Sequence, residues 1–173
     1  MGKILIIYDT DSDRRFTETM VPFVREGAES VGGIELRVRF VDDAKVEDVF
    51  WADGIAIGCP THLGGVSWRM KKWWDDRTPD IWFKTDGKFA VPFTSAGSLG
   101  GGGELACQAL STMMLNMGYF VFGITDYVAK KESLHYGAVV AGLNCAQKGC
   151  NPPNRGEVNT VMATAFELTL TRN

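Results

Sequence analysis

Two stretches of this sequence have residue types and spacings suited to chemistry. Residues 94–104 read TSAGSLGGGGE: the hydroxyls of Thr94 and Ser95, then Ala96, Gly97 and Ser98, then Gly100 and Gly101 opening a run of four glycines before Glu104. Residues 59–65 read CPTHLGG. There Pro60 fixes a turn, Thr61 offers a hydroxyl, and His62 and Leu63 set a flat polar ring beside an apolar chain. Gly64 and Gly65 then allow tight curvature. Glycine lets backbone N–H groups approach a flat or anionic ligand with no Cβ in the way. Together the two stretches suit a planar aromatic ligand with a polar tail. No catalytic nucleophile and no paired-carboxylate arrangement is visible, and Glu104 at a predicted helix start reads as a dipole-complementing cap.

Such stretches need a frame that brings them to one place. Residues 88–93 (KFAVPF) have the apolar, β-forming character of a buried strand, and 105–117 form a helical pattern closed by Gly118. Strand, small-residue loop and helix in succession is how open α/β sheets bind ligands beyond their strand ends. A flexible linker is the alternative for the glycine run, but linkers do not normally join a buried strand to an apolar helix. Further strands are predicted at 3–8, 34–41, 54–59 and 119–124, and further helices at 18–30, 45–51, 67–77 and 157–170. Strict alternation over 34–41 marks a strand with one polar face at a sheet edge. Thr78-Pro79-Asp80 reads as the end of the 67–77 helix. Pro22 moves the start of the first helix to near Thr19, because proline removes a helix N–H and clashes one turn back. Residues 126–153 read as irregular.

Five strands alternating with helices predict one α/β domain over residues 1–173, a three-layer, doubly wound parallel sheet. Right-handed crossovers and a flavodoxin-like strand order of 2-1-3-4-5 are the simplest solution. The loops after strands one, three and four then share one rim.

Bulk properties narrow the class. A chain of 173 residues with 45% hydrophobic and 23% charged residues is an ordinary globular composition, and a net charge of −3 gives no reason to expect nucleic acid. No apolar run approaches membrane-spanning length, and residues 1–3 lead into a strand without a signal-peptide pattern, so the cytoplasm is expected. Of the four cysteines, Cys59 and Cys107 lie in apolar patterns and read as buried thiols. Cys145 and Cys150 provide only two ligands, so no metal site is predicted; they read as free thiols, with a labile disulfide as the alternative.

The stretches GCPTHLGG and PFTSAGSLGGGGE, with HYGAVVAG at 135–142, resemble the WrbA-type NAD(P)H:quinone oxidoreductases of the flavodoxin-like FMN superfamily. The resemblance covers essentially the whole chain. It implies that Pro60, Thr61, His62, Leu63 and Gly64 pack along the flavin ring, with Leu63 where the family carries an aromatic residue. It implies that Thr94, Ser95, Ala96, Gly97, Ser98, Gly100 and Gly101 contact ribityl and ring. His135 falls beside the flavin and the substrate side and is the one candidate catalytic residue; an exposed histidine without a role is the alternative. His62 reads equally as a wall or as a proton donor.

The same resemblance places the FMN phosphate against residues 9–17, with Asp9, Ser12, Arg14, Arg15 and Thr17 as candidates. Here the chain departs from the family's compact Ser/Thr-Gly-Asn-Thr turn. It has no glycine, three aspartates and about three extra residues, leaving Arg14 and Arg15 to supply positive charge. The implied function is FMN-dependent electron transfer from NAD(P)H, as co-substrate, to a quinone-like acceptor. A flavodoxin-type electron carrier and a binding module with weakened or lost FMN binding are the alternatives. Trp68, Trp73, Trp74, Trp82 and Phe83 make a cluster larger than one helix and loop easily bury, so a homodimer or homotetramer is expected, with core residues as the alternative.

Overall fold

In the computed structural model the described residues are 1–121 apart from Ser12, Arg14 and Leu99, then Gly123 and residues 137–141. The predicted helix at 157–170, His135, Cys145 and Cys150 lie outside them. The elements run β1 (Gly2–Tyr8), α1 (Phe16–Glu29), β2 (Ile34–Phe40), a 3-10 turn (Val41–Asp43), α2 (Val46–Trp51) and β3 (Gly54–Pro60). They continue with α3 (Trp68–Ile81), β4 (Phe89–Ala96), α4 (Gly103–Asn116), β5 (Phe120–Val121) and β6 (Ala138–Ala141).

All strand pairs are parallel, in the expected order β2-β1-β3-β4-β5. Side chains alternate across the sheet as a pleated strand requires. Ile4 and Ile6 pack with Met20, Val21 and Val24 of α1 on one face. Leu5 and Ile7 pack with Val49 of α2, Met70 and Trp74 of α3, and Leu110 of α4 on the other. Gly58 is bare because a Cβ there would lie 2.1 Å from the Phe93 ring.

Four readings need correction. Helix α1 starts at Phe16, not near Thr19, and Pro22 sits inside it on the solvent face, where water can take the carbonyl that proline leaves unbonded. Helix α3 likewise runs through Pro79 to Ile81. Pro79 is exposed, the buried Ile81 gains core packing from the extra turn, and Thr78 Oγ1 donates to Trp74 O at 2.8 Å. Thr94, Ser95 and Ala96 belong to β4 rather than to the loop after it. The stretch read as irregular contains β6, which pairs with Phe93–Ala96 while β5 pairs with Phe89–Ala90. Since β3 takes the other edge of β4, these two short strands share the fifth position.

Edge placement of β2 is as expected, since it pairs only with β1 among the described strands. Its arginines fold back over the sheet: Arg37 and Arg39 both reach Asp48 of α2, at 3.0 and 3.1 Å. Trp73 and Trp74 are core residues, which removes them from the exposed aromatic cluster; Trp68, Trp82 and Phe83 remain exposed. Cys59 and Cys107 are buried free thiols.

Candidate functional site

Strands β1, β3 and β4 end at Tyr8, Pro60 and Ala96, and their loops meet at one end of the sheet. The join between β3 and β4 is bonded past the strand ends. Thr61 N donates to Ser95 O at 2.8 Å, and Thr94 Oγ1 donates to Cys59 O at 2.7 Å. A hydroxyl has one proton, so the 3.0 Å contact between Thr61 and Thr94 must have Thr61 as donor. Thr17 of α1 ties in through a 2.8 Å bond between its hydroxyl and that of Ser95. These pairings explain why Thr94 and Ser95 can be buried.

Beyond Thr61 the chain makes a two-residue hairpin. His62 N donates to Gly65 O at 3.0 Å and Gly65 N to His62 O at 2.8 Å, while Leu63 and Gly64 have φ of 50° and 78°. Positive φ at both central positions is the geometry that favours Asn-Gly. Leu63 occupies the first of them instead, at a cost on the order of 1 kcal/mol, and holds its apolar side chain fully in water. The next loop closes against this hairpin: a Cβ on Gly102, at φ 85°, would stand 2.9 Å from Gly64 Cα. Either side of that contact is open space, with nothing within 4 Å of a Cβ placed on Gly97 or Gly100. An exposed apolar tip and bare backbone are surfaces on which a flat aromatic ring can pack.

The loop after β1 is built differently. Asp9 N is tied to Gly58 O at 2.8 Å, and the Asp9 carboxylate, 1% exposed, accepts Ser67 Oγ at 2.5 Å and Arg69 Nη1 at 2.6 Å. Arg69 also donates to Thr10 O at 3.2 Å and lies 3.5 Å from Asp42, under the rings of Phe40 and Trp68. The His62 imidazole meets the Asp11 carboxylate, and Arg15, at φ 49°, pairs with Glu18. A cavity of about 690 Å³ beside this loop is lined by Asp11, Asp13, Asp42 and Asp43 against Arg15 and Arg69. Tyr8 forms part of its wall; burial first, then the Glu18 carboxylate, push its phenol above the ordinary value, so it stays protonated. A separate groove of about 790 Å³ follows the outer edge of β2, and its arginines are engaged by Asp48.

The rim thus gathers Pro60, Thr61, His62, Leu63, Gly64, Gly97, Ser98, Gly100 and Gly101, with Asp9 and Thr17 buried under it. Thr94, Ser95 and Ala96 lie just beneath it, buried in β4. Ser12, Arg14 and His135 are outside the described residues. Arg15 lines the cavity but is engaged by Glu18. Ser67 and Arg69 were not among the candidates; the available signal was that a buried aspartate requires a cation and donors. Cys59, directly under Pro60, is no nucleophile, because burial pushes its thiol up to about 11.

A flavin mononucleotide meets two unlike halves here. The hairpin and the glycine loop fit the ring. The described residues of the first loop do not fit a phosphate, since carboxylates predominate and the arginines and the Thr17 hydroxyl already have partners.

No protein-family model matches the sequence. A flavodoxin from Aquifex aeolicus is 54% identical over 142 residues, covering 82% of this chain and 76% of that relative. An NAD(P)H dehydrogenase (quinone) from Acidithiobacillus ferrooxidans is 29% identical over 146 residues, covering 72% of each. Among solved structures, the flavodoxin, WrbA-like protein from Agrobacterium tumefaciens has a TM-score of 0.74 at 19% identity over 100% of both chains, a likeness of fold.

Proposed function

The chain belongs to the flavodoxin family, and on that premise we propose that it is a flavin-dependent oxidoreductase, with FMN as the family's cofactor, passing electrons from NAD(P)H to a quinone-like acceptor. The observation that carries this reading is the 62–65 hairpin, which exposes Leu63 and closes on Gly102, with the bare backbone of Gly97 and Gly100 in the same glycine loop. A flavin supplies hydride and electron transfer through its ring, and the protein supplies placement and exclusion of water. In this chain Leu63 offers the apolar surface, the backbone of Gly97, Ser98 and Gly100 offers N–H groups, and Thr61, having donated to Thr94, presents its oxygen as an acceptor. His62, held by Asp11, forms a polar wall. No nucleophile is required, in keeping with the protonated thiol of Cys59.

The test is anaerobic mixing of the flavin-loaded chain with NADH or NADPH, followed by a benzoquinone. Bleaching of the yellow absorbance by one nicotinamide and its return with the quinone are expected. A flavin that neither nicotinamide reduces overturns the enzyme reading. That outcome favours the second reading, an electron carrier, for which the 54% identity to a protein named flavodoxin speaks directly.

Assembly as a homodimer or homotetramer is part of the same reading. It rests on Trp68, Trp82 and Phe83, three large exposed apolar side chains. Light scattering at micromolar concentration should report a multiple of 19.0 kDa, and a monomer would remove this part of the proposal.

A further inference from the structure

Accepting that the rim holds a flavin ring, we propose that the site selects against the terminal phosphate. Its ligand class is then a flavin whose tail carries no charge, with riboflavin as the simplest member. The two halves of the rim carry the argument. Between Pro60 and Val66, and again between Thr94 and Gly103, the only ionisable side chain is His62. Contacts there are indifferent to the charge on a ligand's tail.

The tail end is the opposite. Around the start of α1 the carboxylates of Asp9, Asp11, Asp13, Glu18, Asp42 and Asp43 stand against the guanidiniums of Arg15 and Arg69. Six negative charges face two positive ones; granting His62 and Arg14 a full charge each still leaves an excess of two negatives. Neither guanidinium is idle, because Arg15 is paired with Glu18 and Arg69 with Asp9 and Asp42.

Among the described residues the usual anion devices are spent as well. A helix N-terminus favours an anion through its dipole, but Glu18 already occupies the first turn of α1. The Thr17 hydroxyl is bonded to Ser95 instead of facing outward. No glycine between Asp9 and Thr17 lets the backbone wrap an anion closely. A single unscreened carboxylate about 6 Å from a phosphate charge, at an effective dielectric of about 20, lowers affinity by roughly a hundredfold. Salt and water at this exposed rim reduce that to on the order of tenfold.

The experiment titrates the full-length chain, its fold checked by circular dichroism, with riboflavin and with FMN, following flavin fluorescence at low and at high salt. Riboflavin is expected to bind roughly tenfold tighter than FMN at low salt, with the gap closing as salt screens the repulsion. The double variant Asp13→Asn/Asp43→Asn should raise FMN affinity and leave riboflavin unchanged. FMN binding tighter than riboflavin, and weakening with salt, overturns the inference while leaving the flavin reading intact. A preference for riboflavin that responds to neither salt nor the double variant also overturns it, because the cause would then be shape. If neither flavin binds, the flavin reading itself fails, and the inference with it.

Discussion

The loops after β3 and β4 and the loop after β1 lie on one rim and are held in opposite ways. The first two are organised by backbone: a reciprocally bonded hairpin at 62–65, a bare contact between Gly64 and Gly102, and hydroxyl bonds that join the strand ends. Apart from His62, they carry no ionisable side chain. The loop after β1 is organised by charged side chains: Asp9 pairs with Arg69, Arg15 with Glu18, and Asp11 meets the His62 imidazole. A loop whose described cations already have carboxylate partners has little left for an anion. A loop closed by backbone keeps its surface for a ligand. One end of a sheet can therefore keep a ring site while its phosphate site changes.

The most disruptive test of this contrast removes the cation under the first loop. Arg69→Met keeps much of the aliphatic stem but leaves the buried Asp9 carboxylate without its guanidinium, and should cost about 3 kcal/mol in denaturant unfolding. If the two regions are as independent as described, the folded variant keeps its riboflavin affinity; a parallel loss would show that the first loop shapes the ring site.

Gly102→Val attacks the other side. A β-branched residue at φ 85°, with its Cβ 2.9 Å from Gly64 Cα, forces the loops apart at a cost of about 2 kcal/mol. Flavin affinity should fall by about tenfold or more, because the loss falls on the binding surface itself. Unchanged affinity would mean that this contact does not form the site.

A third region provides the control. Burial pushes the Asp48 carboxyl up, but the bonds from Arg39, the Lys45 backbone and Arg37 outweigh it and hold the carboxyl below the ordinary value. A depressed carboxylate stabilises the fold above its unfolded value near 3.8, and that stabilisation is lost as the pH falls through the folded value. Asp48→Asn should therefore be less stable than the wild type by about 1–2 kcal/mol at neutral pH. The two should converge in acid, with flavin binding untouched at neutral pH.

The smallest effect sharpens the ring side. Leu63→Asn creates Asn-Gly at the two positive-φ positions and should raise stability by about 0.5–1 kcal/mol, read as a higher midpoint of thermal unfolding. It should also weaken flavin binding, since an exposed leucine kept in a strained conformation is explained by what it contacts. A gain in stability without that loss would leave Leu63 unexplained.

The parallel sheet and the loops at its end were legible because buried parallel strands read as unbroken apolar runs and glycines mark the loops between them. The strand order came from topology rules, as the simplest solution, and not from those runs. Boundaries were less legible where side chains satisfy one another. Thr94 and Ser95 look like loop residues until Thr61, Cys59 O and Thr17 are seen to take their hydroxyls. Pro22 looked like the mark of a late helix start and Pro79 like a stop, yet both are exposed, and core residues such as Ile81 recover what the missing hydrogen bonds cost. Trp73 and Trp74 could not be told from an interface cluster, because the periodicity of α3 gives a face without saying what covers it. The short strand β6 was hidden by its length and by its separation from β5. Arg69 and Asp9 lie 60 residues apart, so their pairing exists only in the folded chain.

The central claim is that flavin binds between the 62–65 hairpin and the 97–102 loop, and not through the loop after β1. It is tested most directly by backbone amide NMR of the isotope-labelled chain during a riboflavin titration. The account predicts that the largest shifts gather at residues 61–65 and 97–103, while Thr10, Asp11 and Asp13 move little. Shifts concentrated at residues 9–15, or in the groove beside Arg37, Arg39 and Asp48, would contradict it.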